Sequence, residues 1–113
     1  MKTSSAKQKG RRLSASVREE LLSWAPDLSS EDMVVTPSGV NGPDIYLSPR
    51  AKEVYPFAIE CKNQERINIW DALKQALGHV KGSTDTPLLA FTKNREKDIY
   101  VSLRLKDFLK LIR

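Results

Sequence analysis

The chain has 113 residues, enough for one domain with a single core, and its 40% apolar and 29% charged residues are ordinary for a soluble globular protein. One cysteine excludes an internal disulfide; with a single histidine beside it, zinc fingers and His-rich metal centres are excluded too, so a metal here would need oxygen ligands. The net charge of +5 sits at one end. Lys2, Lys7, Lys9, Arg11 and Arg12 fall within residues 1–12 with no acid among them, and taking those five from 19 leaves 14 basic residues against 14 acidic ones.

Residues 1–13 read as a flexible basic arm, followed by one domain over 14–113. Lys7, Lys9, Arg11 and Arg12 suit a polyanion through counterion release; a solubilising tail is the other reading. No apolar run is long enough to span a bilayer, and no apolar stretch follows the basic start as in a secretory signal. A cytoplasmic protein without a membrane partner is the expectation.

Ser14 to Trp24 has helical periodicity, with Leu13, Val17, Leu21 and Trp24 on one stripe, Ser14 or Ser16 as cap, and Ala25-Pro26-Asp27 as stop. Glu20 falls inside that stripe, where a carboxylate needs a partner, a metal or a bend toward water. Asp32 to Thr36 reads as an edge strand ended by Pro37-Ser38-Gly39. Ile45–Leu47 and Val54–Cys61 read as two antiparallel strands joined by a polar turn over 48–53.

Asn68 opens a helix whose core stripe is Ile69, Leu73, Ala76 and Val80, widened by Trp70 and Leu77. Gln75 lies off that stripe, on one flank with Asn68 and His79. Pro87–Thr92 reads as a buried strand and Asp98–Leu103 as the next, linked by a charged turn with Lys93, Arg95 and Lys97. A last helix carries Leu105, Phe108, Leu109 and Ile112 at core spacing.

Chemistry concentrates in Asn41 to Asn63. Strand side chains alternate, so Phe57, Ile59 and Cys61 share one face and Ala58, Glu60 and Lys62 the other. Ile45 and Leu47 take the apolar face of their strand, which puts Asp44 on the opposite face and lets pairing bring it next to Glu60. Two carboxylates and a lysine then share one patch; a plain surface ion pair, Glu60–Lys62, is the alternative.

Pro43-Asp44 followed by Glu60-Cys61-Lys62 resembles the PD-(D/E)XK nuclease superfamily, and the order helix, three strands, helix, two strands, helix also resembles it. The resemblance implies an α/β fold: a restriction-endonuclease-like αβββαβ core with a central mixed five-stranded sheet and a C-terminal helix. It implies a metal-dependent DNA endonuclease in which Asp44, Glu60 and the Cys61 carbonyl hold Mg²⁺, with Mn²⁺ as substitute, and Lys62 orients the attacking water.

Similarity to Holliday-junction resolvases and small phage-type endonucleases would add Glu20 as a catalytic and metal-binding carboxylate from the first helix. Gln75 resembles a glutamine that several branches of the superfamily turn to the site from the helix after E-x-K; a solvent-exposed Gln75 is the other reading. Arg50, Lys52, Lys93 and Arg95 would track a nucleic-acid backbone. Cutting two strands with one site per chain implies a homodimer or higher homo-oligomer. A homing or mobile-element endonuclease of the same superfamily, and a nucleic-acid-binding module without turnover, remain as alternatives.

Overall fold

The structure, a computed structural model, describes residues 4–113; Lys2 lies outside the described residues. Five strands, β1 (Met33–Val35), β2 (Ile45–Leu47), β3 (Phe57–Asn63), β4 (Thr86–Thr92) and β5 (Tyr100–Ser102), form one sheet in that order. Only β3 and β4 run parallel, from Phe57↔Thr86 to Asn63↔Thr92; the other neighbours are antiparallel. A mixed α/β fold with a five-stranded mixed sheet results, and β1 is an edge strand as its sequence suggests.

The parallel pair requires a crossover, and α3 (Ile69–His79) supplies it. Strands β3 and β4 are therefore covered on both faces. On one face Ile59, Cys61, Leu88 and Ala90 pack with Met33, Ile45 and Leu47 against Leu13 and Val17 of α1 (Ser4–Ser23). On the other, Ala72 and Ala76 of α3 are buried, and the helix packs on β3 and β4. The face expected to be the polar side of a hairpin is thus interior, and Glu60 is only 1% exposed.

Four further expectations are corrected. From Ser4 onward the expected flexible arm is helical, as part of α1, because Ala6 to Arg12 contains good helix formers with only Gly10 against them, and Leu13 is already anchored in the core. The polar turn over 48–53 is a helix, α2 (Pro49–Val54). Ser48 caps it by accepting from the Ala51 amide, with Pro49 at its first position.

Trp24 and Trp70, placed on core stripes by periodicity, are each 79% exposed. The final helix, α4 (Leu105–Leu111), turns Asp107 inward, where Arg104 Nε donates to it at 2.8 Å. Its stripe of Leu105, Phe108, Leu109 and Ile112 is left exposed. Among the described residues, no helix is long and apolar enough to cross a membrane.

Candidate functional site

Asp44 stands just before β2, on a backbone held from both sides. Thr36 donates its amide to the Asp44 carbonyl at 2.9 Å and its Oγ1 to the Pro43 carbonyl at 2.7 Å. The Asp44 amide donates to the Ile59 carbonyl at 2.8 Å. Gly42, at φ +121, takes the turn that delivers the chain to Pro43 in a conformation other residues rarely adopt. Strand pairing stops at Ile45↔Ile59, and the Asp44 side chain continues the ladder: its Oδ2 accepts from the Cys61 amide at 2.6 Å. Oδ1 has no hydrogen-bond partner among the described residues. The Cys61 carbonyl points to the same side of its strand as its amide, toward Asp44.

Glu60, next along β3, is buried and turned to α3, where His79 Nδ1 lies 2.8 Å from its Oε2. Burial, and then the negative charge of Asp44, push its carboxyl up to about 6, against the hydrogen bond and charge of His79 and the charge of Lys62. A cation between the two carboxylates would relieve that repulsion. Two carboxylates and a backbone carbonyl make a hard oxygen set, which fits Mg²⁺ or Mn²⁺ in donor chemistry. Among the described residues, no group of three or more His, Cys, Asp and Glu side chains encloses a metal by itself.

Asp44 and Lys62 line one cleft of about 290 Å³ with Gln75. Lys62 is half-buried and is in no ion pair among the described residues. Gln75 and His79 are one turn apart on α3, about 6 Å, as Lys62 and Glu60 are two residues apart on β3, about 6.6 Å. Helix and strand therefore match rung for rung: Gln75 with Lys62 at the cleft, His79 with Glu60 in the interior. Helix α1 lines the same cleft with Ala6, Lys7, Gly10, Arg11 and Ser14, and the β1–β2 loop supplies Thr36 to Val40.

Cys61 faces the core. Burial pushes its thiol up to about 12, and Ser14 hydrogen-bonds to it. It is a packing residue that offers its backbone to the site.

Other expected residues lie elsewhere. Glu20 is exposed, in a shallow groove with Ala15, Ser16, Glu19 and Ser23, because the stripe that buries Leu13 and Val17 leaves it at the edge; it is not a site carboxylate. Arg50 and Lys52 ride on α2, near the Phe57 end of β3 and away from Lys62. Arg50 donates to the Asp27 carbonyl, and Lys52 pairs with Asp85 at 2.9 Å. Lys93 and Arg95 follow Thr92, which pairs with Asn63, so they are exposed at the same end of the sheet as Lys62. Lys7 and Arg11 line the cleft; Lys9 and Arg12 do not.

His79 was missed as a site residue. Its place one turn after Gln75, on the same flank of the helix following Glu60, was the available signal.

No protein-family model, no curated protein and no solved structure matches this chain.

Proposed function

We propose that the protein is a metal-dependent DNA endonuclease with a restriction-endonuclease-like core. The observation that carries this reading is the meeting of Asp44 and Lys62 in one basic cleft, with the charge of Asp44 felt by the buried Glu60. Asp44 Oδ1, the Cys61 carbonyl and Glu60 would hold Mg²⁺ or Mn²⁺. The cation, when bound, supplies charge neutralisation at the phosphoryl oxygens and a more acidic water.

The chain's own residues do the rest. Lys62, unpaired with either carboxylate, orients the attacking water and offsets the charge that develops on the phosphoryl group. Gln75 adds a neutral hydrogen-bonding arm at the cleft. Asp44 is fixed by three backbone contacts around it, so its free oxygen is presented in one place.

A double-strand cut needs two copies of a chain with one site, and the exposed Leu105, Phe108 and Ile112 of the α4 region are a surface such an assembly would use. Structure selectivity of the Holliday-junction type loses the support of Glu20, which lies outside the cleft; the small size of the chain is what supports it.

One observation favours a second reading, a nucleic-acid-binding domain without turnover: Glu60 spends Oε2 on His79. Incubation with duplex, single-strand, flap and four-way-junction DNA, with Mg²⁺, Mn²⁺ or EDTA, separates the two. Metal-dependent products support the endonuclease. Binding to any of these substrates with no product in either metal establishes the second reading.

A further inference from the structure

The charged N-terminal segment is a wall of the site. Lys7 and Arg11 are four residues apart on α1, with Gly10 between them and Ala6 and Ser14 on either side, and all five line the Asp44–Lys62 cleft. At 100° per residue these positions span an arc of about 140°, whereas Lys9 and Arg12 fall outside it. The two cations are one turn apart, about 6 Å along the axis, and line the same cleft as Lys62. A Cβ added at Gly10 would meet nothing within 4 Å, so the missing side chain serves no packing contact. A glycine inside a helix is less favourable than alanine. What Gly10 provides is open space beside the two cations.

We infer that the first three turns of α1 bind one strand of a polynucleotide: Lys7 and Arg11 take neighbouring phosphates, and Gly10 leaves the channel through which that strand passes to Asp44 and Lys62. The inference rests on the proposed nucleic-acid reading of the cleft and assigns its strand-holding residues. It narrows the expectation of a flexible polyanion-binding arm, since cations fixed on a helix at the site position the scissile strand as well as attracting it.

The test uses the full chain and a fluorescent single-stranded oligonucleotide, with anisotropy read across a salt series. Lys7→Gln/Arg11→Gln and Lys9→Gln/Arg12→Gln remove equal charge. The first pair should weaken binding at least tenfold and reduce the slope of log affinity against log salt by about 1.4, two phosphates on a single strand. The second should stay within about twofold, the level of a general charge effect.

Gly10→Gln should keep the circular dichroism of the parent while blocking binding. Equal losses in the two pairs, no loss in either, full binding by Gly10→Gln, or equal competition by poly-glutamate would each overturn the inference. Selective loss of binding in a protein that cleaves nothing would leave the inference standing and remove the endonuclease. Cleavage with equal losses in the two pairs would do the reverse.

Discussion

His79 Nδ1 lies 2.8 Å from Glu60 Oε2, one helical turn beyond the Gln75 that lines the Asp44–Lys62 cleft. The pair is partial compensation for a carboxylate that burial and Asp44 disfavour, since its pKa still ends at about 6 against an ordinary 4.5. Between those values the folded chain holds a proton that the unfolded chain has released. The contribution of this group to stability is therefore full below 4.5 and lost as pH rises through about 6. Glu60→Gln should raise stability at pH 8 by roughly 1–2 kcal/mol, and the gain should vanish by pH 4. Urea unfolding of both proteins at the two pH values checks this; an equal gain at both would mean that charge burial is not the cause.

The same substitution should cost activity. Asp44→Asn, Glu60→Gln and Lys62→Ala are each expected to reduce metal-dependent cleavage by roughly 100-fold or more. Asparagine keeps an oxygen for the Cys61 amide, so Asp44→Asn should melt close to the parent. Glu20→Gln, on the exposed side of α1, should cleave like the parent and show the same metal titration. Full activity in any of the first three would remove that residue from the chemistry.

Cys61 supplies an internal probe. Its thiol, buried and pushed up to about 12, carries almost no thiolate at pH 8. The native protein should resist Ellman's reagent and release one equivalent only on addition of guanidinium. Rapid labelling of the native chain would show that the contact between α1 and β3 opens easily.

Trp24 and Trp70 supply a second, since both are largely exposed. Native fluorescence should be red-shifted and readily quenched by acrylamide, with only a small further shift on unfolding. An emission maximum well to the blue would mean that at least one indole is covered, as happens when a second copy packs over α3 or α4.

The strands and α3 were legible because two signals agreed there: alternation in Phe57–Lys62 and a capped 3.6-residue pattern after Asn68. Asp44 could be placed opposite Glu60 from face alternation alone. What alternation could not reveal is what covers a face. Glu60 looked solvent-facing in a hairpin, and only the parallel β3–β4 pairing, with α3 across it, makes it interior.

Periodicity likewise ranked Trp24, Trp70 and the Leu105–Ile112 stripe as core, although an apolar stripe says only that a surface is apolar. The helix over 49–54 had a readable start, Ser48-Pro49, but its six residues were too short for a periodic pattern. The basic residues of α1 looked like a tail because charge was counted without angle.

The parallel pairing of β3 with β4 also sets when the site can exist. Residues between Asn63 and Thr86 must close as a crossover before Glu60 gains its place beside Leu89 and His79 reaches it. Local elements such as α1 and α2 can form early, whereas this closure is non-local and slow by comparison. A nascent or partly folded chain can therefore display the cations of α1 before its carboxylate pair is complete, so the wall of the cleft precedes its centre.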